Sequence, residues 1–337
     1  MSPSNIFIIG ATGYIGGTVF LRLVERKAYN ITILVRDEDK ARKIQQLNLH
    51  AVSIVLGTAT DATAIETGIK DADVIIDAFN CDDAEGNATL LSVVRRHFGA
   101  TKKKLPLIRV SGGGVLMDDA RGTYASEKVW DDADTKEMAN IRATNPHRPV
   151  DLEVLKADAE GFLGSYIIMP SIVFGAIDNV LSRAGIQREN NVVTQVIIAP
   201  VVALGGKVVT VGGGFNKSEC THVEDVASLI TTVFDNLDTE PHGPEGYYFA
   251  ESFELDLRSI ARIASKYITG DISAEERAMT DDECKTFFPG PLYGIIPVLS
   301  GNSRFTATCA RRLGWVPKYG LADYESDVMR LAEAMKA

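Results

Sequence analysis

Tyr124 and Lys128 stand four residues apart in RGTYASEKVW, residues 121–130. On a helix such positions share a face, so a phenol and an ammonium could converge on one substrate atom and pass it a proton. The spacing also arises by chance in charged surface segments, and the overlapping EKVWDDADTKE reads as acidic and solvated. The choice depends on whether the rest of the chain builds a site around the pair.

A second chemical feature lies near the start. GATGYIGG places Gly10, Gly13 and Gly16 directly after the apolar run NIFIIG and at the opening of a helical pattern. Phosphate binding needs that order. One glycine permits the tight turn, one lets the backbone approach a pyrophosphate, and one packs helix against strand, while the helix start offers free N–H groups to the anion. At the end of the second strand, NAD-selective sites carry an acid that binds the ribose 2′-hydroxyl. Here Arg36 holds that place, with Asp37 next and Lys40 one turn on. A guanidinium suits a 2′-phosphate through paired N–H donors, so NADP(H) is the expected cofactor and NAD(H) the alternative.

The elements that must position these groups alternate. NITILVR, AVSIVLG, ADVIIDAF, LPLIRVSGG and SYIIMPSIVFG read as strands, separated by helical patterns such as DEDKARKIQQLN, GNATLLSVVRRHFG and residues 150–160. This alternation predicts right-handed crossovers and an α/β fold, a doubly wound parallel (Rossmann) sheet with ligands beyond the carboxyl ends of its strands. Ser111 ends a central strand and is expected to face that crevice. Residues 1–175 are expected to form the dinucleotide-binding domain, with 207–250 returning to it. A smaller substrate lobe would comprise 176–206 and 251–337.

Composition narrows the partners. A formal charge of −10 on 337 residues argues against nucleic acid and anionic membranes. The four cysteines form no CxxC pair and the five histidines lack ligand spacing, so neither a disulfide framework nor a metal site is expected. No basic region precedes the first apolar run, and NVVTQVIIAPVVALGG is interrupted by Gln195 and Pro200. A cytoplasmic protein acting on a small molecule is the expectation, with oligomeric state open.

Taken together, GATGYIGG, ADVIIDAF, the serine-ended IRVSGGG, MPSIVFG, THVEDVASLI and RRLGWVPKYG resemble the extended and atypical short-chain dehydrogenase/reductase superfamily, which includes epimerase/dehydratase-like and NmrA-like proteins. The similarity spans nearly the whole chain, with fungal NAD(P)-binding proteins nearest. It implies that Gly10, Thr12, Gly13, Tyr14 and Ile15 line the pyrophosphate and that Arg36 takes the adenosine phosphate. It further implies that Ala78, Phe79 and Asn80 lie along the nicotinamide side, with Pro170 and Ile172 against the ring. In the superfamily Tyr124 would pass the proton, Lys128 would stabilise the phenolate and hold the ribose, and Ser111 would hydrogen-bond the reacting oxygen.

The sequence departs from this pattern in three places. Thr58 stands where many relatives have an acid facing the adenine, leaving Asp61 or packing to hold the base. FNKSECTHVEDVA lacks the arginine of sugar-nucleotide enzymes, which disfavours a diphosphate-sugar substrate, and Asp225 within it reads as a cap or turn residue. In relatives the helix bearing the tyrosine–lysine pair runs almost directly into the next strand. Here Pro146 and Pro149 interrupt that stretch, and helix 150–160 has no tyrosine. His147, just ahead of that helix, is the next candidate proton donor.

The expected activity is NAD(P)H-dependent reduction of a carbonyl or activated alkene on a small, mostly apolar metabolite. FFPGPLYGIIP, residues 287–297, either lines its pocket or packs beneath a loop. A non-redox epimerase or dehydratase with retained cofactor, and an NmrA-like NADP(H)-sensing regulator without catalysis, fit the same residues. NADPH oxidation with a carbonyl panel separates them.

Overall fold

Each apolar run of the first half becomes a strand with side chains on both faces. The computed structural model describes residues 4–270, 276–290, 294 and 296–336. Its strands are β1 (Asn5–Ile9), β2 (Asn30–Val35), β3 (Val52–Leu56), β4 (Val74–Asp77), β5 (Leu105–Val110), β6 (Trp130–Asp131) and β7 (Leu163–Pro170). Then follow β8 (Ile172–Phe174), β9 (Val208–Thr210), β10 (Lys217–His222), β11 (Tyr247–Ala250), β12 (Phe253–Asp256), β13 (Glu276–Ala278) and β14 (Phe305–Thr306). The helices nearest the site are α1 (Tyr14–Glu25), α2 (Glu38–Gln46), α3 (Ala62–Ile69), α4 (Ala84–Thr101), α5 (Thr135–Met138) and α6 (Arg148–Ala159).

Seven strands form one sheet in the order β11-β7-β5-β4-β1-β2-β3, with every neighbouring pair parallel. Parallel neighbours require crossovers, and helices cover both faces. In β1 the two-residue period divides the core: Ile6 and Ile8 share one cluster with Val19, Phe20 and Leu23 of α1, while Phe7 and Ile9 share another with Ile65 of α3 and Leu90 of α4. This is the doubly wound sheet that the sequence predicts. Strand order reverses between β1 and β4, where a crevice opens at the carboxyl edge.

SYIIMPSIVFG is two strands rather than one. Ser171 separates them: β7 stays in the large sheet, whereas β8 pairs parallel with β10, itself antiparallel to β12. Around this small sheet, and around the β9–β13 pair, the helices Val192–Ala203, Leu257–Thr269 and Leu321–Lys336 enclose a second core containing Ile198, Val201, Ala261 and Leu331. The return to the large sheet therefore begins later than residue 207. Val208, Val209 and Cys220 belong to the second core, and only helix Val223–Asp235 and β11 rejoin the first.

The C-terminal segment differs from expectation as well. Phe305, Ala307, Cys309, Ala310 and Trp315 are buried in the first core, and β14 pairs with β6. Trp315 Nε1 donates to the Asp225 carbonyl (3.1 Å) and to Ser228 Oγ (2.8 Å). The Asp225 carboxylate accepts from the N–H groups of Lys318 and Tyr319. Asp225 is thus a structural residue that clamps a remote turn, and His222 caps the helix. Among the described residues no helix is long and apolar enough to cross a membrane.

Candidate cofactor and active site

Gly10 follows β1 with φ +86°, and a Cβ there would meet the Ala78 carbonyl oxygen at 2.4 Å. A Cβ on Gly16 would strike the Gly10 carbonyl oxygen at 2.2 Å, so both positions exclude a side chain and let α1 seat against the sheet. Gly13 is less crowded, meeting only the Gly10 oxygen at 3.1 Å. It is the N-cap of α1 and makes no side-chain cap, so the first turn of that helix has no side-chain acceptor for its N–H groups.

Beside this turn lies a cleft of about 410 Å³, walled by Gly10, Thr12, Gly13, Tyr14, Arg36, Lys40, Thr58, Ala78, Phe79 and Asn80. The structure therefore brings together most of the expected cofactor residues. Ile15 packs against the first core instead, Pro170 is buried at the end of β7, and Ile172 lies in the second core. Arg188, to which the sequence reading assigned no role, completes the wall.

At the adenosine end, Arg36 and Arg188 have no hydrogen-bond or ion-pair partner among the described residues. Asp37 is engaged as the cap of α2, accepting from the N–H groups of Asp39 (2.9 Å) and Lys40 (3.1 Å). Asp61 likewise caps α3 through Thr63 and Ala64, so its carboxylate holds a helix start rather than a base. Two anchors deliver Arg188. Lys40 Nζ donates to the Ile186 carbonyl (2.7 Å), and Gln187 Nε2 donates to the Tyr14 carbonyl (2.9 Å) and the Thr18 hydroxyl (3.1 Å).

The other end is shaped by buried charge. Arg109 pairs with Asp77 and also donates to the Cys81 carbonyl, while Asp77 accepts from the Phe79 N–H, which fixes the turn after β4. An ion pair this buried is tolerated only with such additional hydrogen bonds. Ser111 is buried and its hydroxyl donates to Asp151 Oδ2 at 2.7 Å. Burial pushes the Asp151 carboxyl up to about 6, opposed by the Ser111 hydrogen bond and then by Arg109. Asp151 Oδ1 has no partner.

His147 is the N-cap of α6, with φ +65°. The Asp82 carboxylate accepts from its backbone N–H (3.2 Å) and lies 2.7 Å from Nδ1, with Cys81 Sγ 3.2 Å from the same nitrogen. Burial, then the charge of Asp82, pushes the Cys81 thiol up to about 12, so this cluster is held by hydrogen bonds around a neutral thiol. Sequence reading singled out His147 but missed Asp82 and Asp151. The available signal was the His-x-x-x-Asp spacing at the start of the helix before β7, which a search for tyrosine passes over.

Tyr124 and Lys128 are not on a helix. No helix occurs between residues 117 and 134, so the shared face that the i, i+4 spacing implies does not form. Their contacts diverge. Lys128 Nζ pairs with Glu137 at 3.1 Å and lies 3.3 Å from the Trp130 ring centroid. The Tyr124 ring is 47% exposed, and partial burial followed by Asp118 pushes its phenol up, the reverse of what a neighbouring lysine would do. Of FFPGPLYGIIP, residues 291–293 and 295 lie outside the described residues; Phe288 is buried in the second core, which favours packing over a pocket lining.

Comparison with known proteins agrees with this architecture. The model of the NmrA-like family matches residues 2–93. The chain shares its overall fold with solved nucleotide-sugar epimerases. A UDP-glucuronic acid 4-epimerase from Bacillus cereus, solved in complex with NAD, superposes with a TM-score of 0.64 at 13% identity, covering 99% of this chain and 100% of the other. An uncharacterised Schizosaccharomyces pombe protein is 23% identical, covering 96% of this chain and 99% of that protein. The oxidase UcsJ of an Acremonium species is 24% identical, covering 93% and 92% respectively.

Proposed function

We propose that the crevice holds NADP(H) and that the chain is an NADPH-dependent oxidoreductase. The observation that carries this reading is the pair of unpartnered guanidinium groups, Arg36 and Arg188, at one end of a cleft walled by the bare backbone of Gly10 and Gly13. A 2′-phosphate would meet two cations there, whereas a 2′-hydroxyl would find Asp37 already engaged as a cap. The pyrophosphate would lie on Gly10, Thr12, Gly13 and the start of α1, with the adenosine near Arg36, Lys40 and Thr58. The nicotinamide would extend past Ala78, Phe79 and Asn80 towards the ends of β5 and β7. Bound there, the cofactor would supply a hydride to a carbonyl or activated alkene of a small metabolite.

Ser111 enters this reading through Asp151 at the reacting end. A proton-transfer role for Tyr124 with Lys128 would require their loop to bring both to one atom, and the separate contacts of the two side chains favour His147 instead.

The test is calorimetry with NADPH and NADH, followed by NADPH consumption with aldehydes, ketones and enones. Equal affinities would refute the NADP preference, and absence of binding by either would refute the cofactor assignment. Tight binding without consumption would favour the sensor reading, which the NmrA-like match supports. A non-redox epimerase draws support from the fold of the NAD-bound neighbour, and product isomers formed without net NADPH loss would identify it.

A further inference from the structure

Beyond the cleft wall at Phe79 and Asn80, the chain runs directly into a group of polar side chains that cofactor binding alone does not require. Asp82, Ser111, His147 and Asp151 gather at the carboxyl ends of β4 and β5. His147 caps α6, the helix directly ahead of β7, and Asp151 lies in its first turn, with the Asp151 N–H donating to the His147 carbonyl at 3.2 Å. His147 is in the left-handed region, unfavourable for a side chain, and the Asp82 carboxylate holds it there through both its N–H and Nδ1. A carboxylate on Nδ1 fixes the tautomer that carries the Nδ1 proton and leaves Nε2 as the nitrogen that exchanges protons. Nε2 has no partner among the described residues. The ring lies over a turn bare of side chains, where a Cβ on Gly112 or Gly114 would meet Nε2 at 3.1 or 2.8 Å.

We propose that His147 Nε2 is the proton-transfer nitrogen at the nicotinamide end of the cleft, positioned by Asp82. The first turn of α6 then presents a histidine–aspartate pair on the helix that, in proteins this sequence resembles, presents tyrosine and lysine. The proposal rests on the reading that the cleft binds a nicotinamide cofactor. In the reductive direction the Nε2–H bond breaks and an O–H bond forms on the substrate oxygen. The imidazolium becomes neutral imidazole and is reprotonated by water beside Asp82, whose side chain is 56% exposed. The hydride and its electron pair come from the reduced cofactor. The titratable groups against the ring are Cys81 and Asp82 from the turn after β4, with Asp151 of α6 coupled to it through charge; Arg109 and Arg148 act on Asp151, and residues 112–114 bring none.

A nicotinamide ring is cationic only when oxidised, so a nitrogen beside it must titrate differently with the two forms. With five histidines in the chain, the His147 ring signals can be assigned in NMR spectra by their loss in His147→Gln. With saturating NADP⁺ the His147 midpoint should lie at least about half a pH unit below that with NADPH, the other four histidines being unmoved. Calorimetric binding of both forms with equal His147 midpoints overturns the proposal and leaves the cofactor reading intact. No binding of either form overturns that reading and this proposal with it. Asp82→Asn, a change at an exposed side chain, should abolish the predominance of the Nδ1–H tautomer in the imidazole nitrogen NMR shifts of neutral His147. An unchanged tautomer would remove Asp82 as the positioning residue.

Discussion

The Ser111 hydroxyl donates to Asp151 across 2.7 Å, and this bond joins the carboxyl end of β5 to the first turn of α6. Asp151 Oδ1 has no other partner, so Ser111→Ala strips the buried carboxyl of its only side-chain donor. The loss should cost about 1–3 kcal/mol of stability and move the Asp151 titration above its value of about 6. Urea unfolding and carboxyl-carbon NMR would measure the two effects. Turnover should fall while NADPH affinity stays near wild type; if neither stability nor turnover changes, the bond is incidental.

Gly13 is where the glycine turn can be tested without breaking the fold. Its Cβ position meets one atom at 3.1 Å, whereas those of Gly10 and Gly16 overlap backbone at 2.4 and 2.2 Å. Gly13→Val should therefore fold and lose at least about tenfold in NADPH affinity, because the side chain occupies the approach of the pyrophosphate. Wild-type affinity in a folded Gly13→Val protein would refute the phosphate assignment.

Arg36→Ala should weaken NADPH binding by roughly 10- to 100-fold, the value of one charge-assisted hydrogen-bond set, and leave NADH binding nearly unchanged. Arg188→Ala should act in the same direction. Raising ionic strength should compress the difference between the two cofactors, since both guanidinium groups are exposed. Identical losses for NADPH and NADH would place these side chains on the pyrophosphate instead.

Stability should fall as pH rises through neutrality. Burial, then Glu254 and Glu251, pushes Glu219 up to about 8, and burial pushes Asp132 up to about 7. The unfolded chain binds these protons only below about pH 4 to 5. The native preference for the protonated forms thus contributes fully below that range and is lost as pH passes through about 7 and 8. Glu219→Gln should flatten the melting-temperature curve above pH 7 and raise Tm at pH 9 by about 2–4 °C. A curve that keeps the wild-type slope would show that Glu219 is not the group responsible.

The large sheet was legible because two-sided burial writes itself into the sequence as continuous apolar runs, and the glycine spacing marked the cleft. The tyrosine–lysine spacing misled for a physical reason. A helical face exists only if the segment is helical, and residues 117–129 are held as a loop by side chains such as Asn302, which bonds Asp118 and the Tyr124 carbonyl. Arg188 was hidden because its place depends on Gln187 and Lys40 docking an irregular segment, contacts with no local signature. The domain boundaries shifted because strand assignment to one sheet or another is decided at single residues such as Ser171.

On the ribosome, β1 to β7 emerge more than a hundred residues before the groups that finish their core. Phe305 stacks edge-on against Phe249 of β11 with ring centroids 4.9 Å apart, and the N–H of Cys309 reaches the buried Asp132 at 2.8 Å. A nascent chain halted before residue 305 lacks the ring that packs on Phe249 and one donor to Asp132, with the seven-stranded sheet otherwise synthesised. Domain-wise folding from the N-terminus is the usual course of translation. In this chain the large-sheet core stays incomplete until residues 305–315 are delivered, so its maturation waits on a segment made well after its last strand, β11.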